Sequence, residues 1–238
     1  MPEVPCRLVF VTGTDTGVGK TVLTGLLLTR LRARGTRALA IKPFCSGGRG
    51  DVALLRSLQE NELTPEEINP FFFFKPLAPL AAAQSHRQPI ELDSALLHIR
   101  KIARRCDCLL IEGIGGLLVP LGHDYTVLDL IHRLRCEVLV AARNQLGTLN
   151  HTLLTVRALT PFAVHRKLRP RHPTPIRVIL MQPAVPDISS ASNPRLLGQL
   201  LKPVPVTTLP YLGPRCDRAT SVRSVAQRLG SRLDKVLT

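Results

Sequence analysis

The stretch VTGTDTGVGKT, Val11 to Thr21, decides the fold. It follows RLVFVT (7–12), a short run of apolar, aromatic and β-branched residues that reads as a buried strand. It leads into TVLTGLLLTRLRARG (21–35), where Val22, Leu23, Leu26, Leu27 and Leu31 recur on a helical period. Gly35 stands as the stop signal of that helix. A strand, a run of small residues and Lys-Thr opening a helix are what phosphate binding needs. The glycines let backbone N–H groups turn inward, the helix N-terminus favours an anion, and Lys20 adds a point charge. Thr21 offers a hydroxyl to Mg²⁺. The spacing is unusual: Gly13 stands six positions before Gly19, where the common G-x-x-x-x-G-K-[ST] loop has five. The extra residue lies in the Thr14-Asp15-Thr16 arm, away from the GKT end.

Downstream the pattern repeats. Apolar runs at 37–43, 108–113, 137–142, 177–181 and 206–210 read as strands. Segments 92–106, 149–159, 193–201 and 220–237 read as helices. Unbroken apolar strands alternating with helices predict an α/β fold, a P-loop NTPase-like, mostly parallel β-sheet with helices on both faces. The 238 residues suit one domain, so residues 1–238 are expected to form a single unit with a basic insertion at about 163–175. Ligands of such sheets gather at the carboxyl ends of the strands, which singles out Gly13 onward, Lys42, Glu112 and Arg143 onward.

Lys42 opens KPFCSGGRGD (42–51), where Asp51 follows a glycine-rich turn. Asp51 is expected either to N-cap a helix or to approach a magnesium ion from the side. Glu112 ends the strand of LLIEGIGG (109–116), the place where phosphate-loop enzymes hold a second metal contact. Gly113, Gly115 and Gly116 permit close backbone approach there. FFFF (71–74) reads as an apolar plug packed on the sheet edge, without chemistry.

Composition narrows the class. The formal net charge is +15, and no acidic residue occurs from Val138 to Pro186, where HRKLRPRHPTPIR (165–177) is densely basic. The arginines are spread along the chain and aromatics are scarce, so this reads as a solvated basic surface that attracts anionic substrates, and no nucleic acid is expected. MPEVPCRLVFVT lacks a basic leader, and nowhere do about 18 apolar residues run together, so a soluble, cytoplasmic protein without a membrane partner is expected. Cys6, Cys45, Cys106, Cys108, Cys136 and Cys216 show no metal-ligand spacing and read as reduced, structural thiols.

Taken together, GTDTGVGKT, KPFCSG with Asp51 beyond it, and EGIGG resemble the dethiobiotin synthetase family in order and spacing. NPFFFFKPLAPLAAAQ (69–84), QLGTLNH (145–151) and LPYL (209–212) extend the resemblance over roughly residues 7–215. It implies an ATP-dependent cyclo-ligase that joins 7,8-diaminopelargonate and CO₂ into dethiobiotin, releasing ADP and phosphate. It implies Lys42 and Lys20 as catalytic, and Thr21, Asp51 and Glu112 as holders of Mg²⁺. Nucleotide contacts carry over to Gly17, Val18, Gly19, Lys20, Thr21 and Val22, to Asp51, Glu112, Gly113, Ile114 and Gly115, and to Gln182, Pro210, Tyr211 and Leu212. Ser46 carries over as a substrate contact. Gly147 and Asn150 carry over as an anion site for the carboxylate of a substrate held by the neighbouring subunit, which implies a homodimer. One departure stands out: Gln182-Pro183 replaces the family's Asn-Asp at the base, and Pro183 has no N–H to offer. Two other readings compete. A DNA-partitioning or positioning ATPase would carry a signature lysine early in the loop, where Asp15 stands. A related ATP-dependent synthetase acting on another acid would normally bring a glutaminase domain, for which the chain has no room.

Overall fold

The computed structural model describes residues 6–86, 90–160 and 175–238. The basic insertion falls almost wholly outside them. Elements follow the chain as β1 (Arg7–Gly13), α1 (Lys20–Ala33), β2 (Ala38–Ile41), β3 (Phe44–Ser46), α2 (Gly50–Leu58), α3 (Pro65–Ile68) and β4 (Phe71–Phe73). Then come α4 (Pro79–His86), α5 (Leu92–Ala103), β5 (Cys108–Glu112), α6 (Val127–Leu134), β6 (Glu137–Arg143) and α7 (Thr148–Leu159). The chain ends with β7 (Ile176–Met181), a 3₁₀ turn at Ile188–Ala191, α8 (Asn193–Leu200), β8 (Val206–Leu209), α9 (Ala219–Arg228) and α10 (Gly230–Leu237).

Six strands form one parallel sheet in the order β2-β5-β1-β6-β7-β8. The strand that feeds the glycine loop is therefore interior, and its residues Val9 to Gly13 are buried. With this strand order, the right-handed rule for parallel crossovers assigns α1, between β1 and β2, to one face and α6, α7 and α8, between β5 and β8, to the other. α1 is packed by α2, α9 and α10, so it is buried well beyond one stripe. Its Gly25 marks the tightest approach, because a Cβ there would lie 2.8 Å from Leu58 Cδ1 and 3.4 Å from Val222 Cγ1. Gly35 follows the helix at φ 79°, the left-handed stop that the sequence signals.

Three features differ from the sequence expectation. FFFF packs beside the continuation of the edge strand β2, but as a strand and not a plain plug. Phe71–Phe73 form β4, which pairs in parallel with β3 as a separate two-stranded sheet. Phe71 stacks on Phe44 at 5.0 Å, Phe72 lies under the Arg49 guanidinium, Phe73 is buried and Phe74 projects into solvent. Asn69 ties this excursion to the strand end by donating to Lys42 O and Pro43 O. The segment 220–237 is two helices, with Leu229 closing α9 and opening α10. Helix α6, eight residues long, is not among the segments read as helical; it opens at Thr126, whose N–H and hydroxyl both donate to the Asp129 carboxylate. Among the described residues no helix is long and apolar enough to cross a membrane.

Candidate active site

The parallel register sets Val11 beside both Glu112 and Leu139, so β5 ends level with Val11, while β1 runs on to Gly13 beside Ala141 and β6 to Arg143. Thr14 continues the ladder by donating to Ala141 O at 3.0 Å before the loop turns back. A Cβ on Gly13 would come within 2.7 Å of Val18 Cγ2, so the loop folds directly over the strand end and Val18 is its buried anchor. Gly17 and Gly19 take φ values of 73° and 97°, a region that disfavours any side chain. Lys20 opens α1 and reaches back over the loop, donating to Asp15 O at 2.8 Å and Gly115 O at 2.9 Å. The lengthened arm thus supplies one of the two carbonyls that hold this ammonium. Burial pulls the Lys20 pKa down to about 8; Lys42 adds to the fall, and Glu112 opposes it. Arg143, at the end of β6, braces the same loop by donating to Gly17 O at 2.7 Å.

Glu112 lies at the end of β5 and is fully buried. Its Oε1 accepts from Thr21 Oγ1 at 2.7 Å and from Lys42 Nζ at 2.8 Å. Its Oε2 is buried with no partner. Burial and then the charge of Asp51 raise its pKa, while Lys42 and Thr21 work the other way. Lys42 follows β2 and bridges Glu112 to Asp51. Burial acts to lower its pKa, but the two carboxylates outweigh that and raise it, so the ammonium stays charged. Asp51 is not a helix N-cap: Arg49 holds that place, and Asp51 sits in the first turn of α2 with its carboxylate turned to Lys42. Cys45 closes the turn before α2 by donating to Gly48 O at 3.0 Å.

These elements enclose a cavity of about 600 Å³. Gly17 and Gly19 to Val22 line one side, and Lys42, Ser46 and Asp51 the other. Glu112, Ile114 and Gly115 form its floor, and Pro76 to Pro79 close a wall that no spacing in the sequence announces. Gly113 is beside the cavity but not on it; a Cβ there would lie 2.8 Å from the Phe10 ring, so glycine serves packing.

The remaining sequence-predicted residues lie outside this cavity. Gln182, Pro210, Tyr211 and Leu212 follow β7 and β8, on the other flank of the loop, where Met181 abuts Gly19. Gln182 Oε1 accepts from Asn144 Nδ2 at 2.7 Å. Asn144 is itself fixed, because it donates to Ser190 O and accepts from Asn193 Nδ2. The Gln182 amide is thereby turned with its NH₂ away from Asn144. Gly147, at φ 91°, is the N-cap of α7; it and Asn150 are exposed and do not line the cavity. Sequence reasoning marks Arg143 by its strand end, but gives no sign of the Met181 contact or the Asn193–Asn144–Gln182 chain. All six cysteines are free thiols. Among the described residues no cluster of three or more His, Cys, Asp or Glu offers a metal site, so the donor set here is two carboxylates and a hydroxyl.

A family model described as an AAA domain matches residues 7–214. The ATP-dependent dethiobiotin synthetase BioD of Anaeromyxobacter sp. strain K is 37% identical over 233 residues, covering 95% of this chain and 99% of that protein. The chain belongs to the dethiobiotin synthetase family. The Bacillus licheniformis synthetase of the same name is 45% identical over 153 residues, 62% of this chain, and the match spans 65% of that protein's length. Solved structures share the fold at low identity. A ParA family ATPase from Chlorobium tepidum gives a TM-score of 0.59 at 15% identity, covering 97% of this chain and 98% of that one. The MinC:MinD complex of Aquifex aeolicus gives 0.54 at 13%, covering 95% and 96%.

Proposed function

We propose that the chain works as an ATP-dependent dethiobiotin synthetase, one catalytic unit acting on 7,8-diaminopelargonate, CO₂ and ATP in the cytoplasm. The observation that carries this reading is Lys42, a charged ammonium held between Asp51 and Glu112 across the cavity from the phosphate loop. One amine of the diamine adds to CO₂ and loses a proton, giving a carbamate. A carbamate oxygen attacks the γ-phosphorus of ATP, and ADP leaves. The second amine attacks the carbonyl carbon of the resulting mixed anhydride, loses its proton and expels phosphate, which closes the ureido ring. Such a sequence calls for positioning and charge neutralisation more than covalent help. The free N–H groups of the first turn of α1 hold the phosphates. Lys20 exchanges its two loop carbonyls for phosphate oxygens, and Lys42 balances the carbamate. Ser46, at the end of β3, faces the diamine.

The donors fit a hard cation: Glu112 has a buried oxygen without a partner, with the Thr21 hydroxyl bonded to the other oxygen and Asp51 beside Lys42. Thr21, Asp51 and Glu112 would hold Mg²⁺, which supplies positive charge to the β- and γ-phosphates when bound.

The cavity lies on the β5 and β2 side of the loop, so the nucleoside extends to the other side, over Met181, Gln182 and Pro210 to Leu212. Gln182 presents an amide donor to the base there, and Pro183 adds none. A homodimer completes the site. Leu146, Asn150 and Leu154 share one exposed face of α7 and its approach, with the two leucines 81% and 58% exposed. A second subunit covering that face brings Gly147 and Asn150 to the carboxylate of the diamine. The test is turnover with diaminopelargonate, bicarbonate and MgATP. ADP release that depends on the diamine, with dethiobiotin as product, supports the proposal; diamine-independent ADP release contradicts it.

A further inference from the structure

At the amino end of the sheet, opposite the cavity, the first rung between β1 and β5 is Arg7 N–H donating to Asp107 O at 2.8 Å. Cys6 and Cys106 immediately precede these two residues, and their sulfurs lie 3.8 Å apart, in hydrogen-bond contact. Cys6 is half-buried, whereas Cys106 is 6% exposed. Cys106 also borders a second cavity of about 520 Å³ that Arg32, Arg37, Arg105 and Arg223 help to line. Cys6 and Cys106 also reach backbone carbonyls, as Cys45 and Cys216 do, but Cys6 and Cys106 are the pair with sulfurs in contact.

We propose that Cys6 and Cys106 are a modification site: a hydroperoxide converts the pair to an intramolecular disulfide, and a dithiol reductant restores it. The Cys6 thiolate attacks one peroxide oxygen, so that the O–O bond breaks and hydroxide leaves, giving a sulfenic acid at Cys6. The Cys106 sulfur then attacks the Cys6 sulfur and the sulfenic oxygen departs as water, taking the Cys106 proton. In sum two thiols and one hydrogen peroxide give one disulfide and two waters. The division of labour follows from burial. Cys6 is the half-buried member of the pair and Cys106 the buried one, so a peroxide meets Cys6 first. Cys6 is therefore the more accessible sulfur, with its resolving partner 3.8 Å away. A bond of about 2.05 Å requires the sulfurs to close by a little under 2 Å, within reach of side-chain rotation and a small shift at the start of β1.

The bridge joins residues 100 apart and pins the first strand to the end of α5. It restricts the unfolded chain, so the oxidised protein is expected to melt about 5 °C higher. It lies at the end of the sheet away from Lys42, so nucleotide binding is expected to be unchanged. The proposal is independent of the synthetase reading.

The experiment treats the full chain with a small excess of hydrogen peroxide, alkylates the remaining thiols and maps the non-reduced digest by mass spectrometry. Free thiols should fall from six to four, with a Cys6–Cys106 cross-linked peptide that dithiothreitol removes. Cys6→Ser should abolish the cross-link and the melting shift, while Cys136→Ser should keep both. A bridge between any other pair, sulfinic acid at Cys6 without a bridge, or six thiols surviving peroxide that oxidises free cysteine would each overturn the proposal. Because Cys6 stands at a half-buried strand start, its serine variant keeps the test decisive even if a Cys106 variant fails to fold.

Discussion

Lys42, proposed to balance the carbamate, is also the counter-charge of the buried Glu112. Lys42→Ala should lower diamine-dependent turnover by about 10²–10³-fold while ATP affinity changes only a few-fold, as steady-state kinetics and nucleotide titration would read out. It should also destabilise the fold by about 3 kcal/mol, because Glu112 loses its buried counter-charge. Adding Glu112→Gln to that variant should restore much of the melting temperature without restoring turnover. Gln182 gives a second prediction. Its outward amide donor matches the N7 acceptor that adenine and guanine share, so the side chain gives adenine no advantage. Gln182→Glu keeps an acceptor for Asn144 and turns another toward an exocyclic amine, so the ATP over GTP ratio in kcat/KM should rise about tenfold. The loop, Lys42 and Glu112 are legible in the sequence because each is a local strand-end event. The Arg143 brace on Gly17 and the chain from Asn193 to Gln182 are not, because they join residues 126 and 49 positions or fewer apart through strand neighbours that no spacing encodes.

Among the elements, α1 shows what tight packing demands. Gly25→Val should cost about 2 kcal/mol in denaturant unfolding, since its branches would collide with Leu58 and Val222 before α2 or α9 could yield. The long regular elements were readable from period alone: the interior strands are continuous apolar runs, and α5 and α7 begin where the sequence pattern does. The excursion between β2 and β5 was not. FFFF is apolar enough to suggest burial, but its partner strand β3 is only three residues long and carries no period of its own. The break at Leu229 is equally silent, because α9 and α10 share one continuous polar and apolar pattern.

At the scale of the molecule, Glu137 ties three strands together at the amino end of the sheet. It pairs with Arg7 at 2.7 Å and with Arg177 at 3.2 Å. Burial works to raise its pKa, but Arg7 and then Arg177 hold it below the ordinary glutamate value. The stabilisation is therefore present above the unfolded pKa and is lost as pH falls through the lower folded one. Glu137→Gln should cost about 1 kcal/mol near neutrality after allowance for solvent screening, and the difference should vanish in acid unfolding curves below that pKa. The proposed homodimer makes its own demand: Leu154→Asp should yield a monomer in sedimentation that keeps nucleotide binding and loses turnover with the diamine. The fold is shared with ATPases of different names, so the choice of acceptor rests on the cavity beside Lys42. The most direct measurement is single-turnover chemistry with labelled bicarbonate, 7,8-diaminopelargonate and MgATP. One ADP and one labelled dethiobiotin per site are expected, with no ADP burst when the diamine is omitted. Equal ADP release with and without the diamine, and no label in a cyclic urea, would contradict the proposed function.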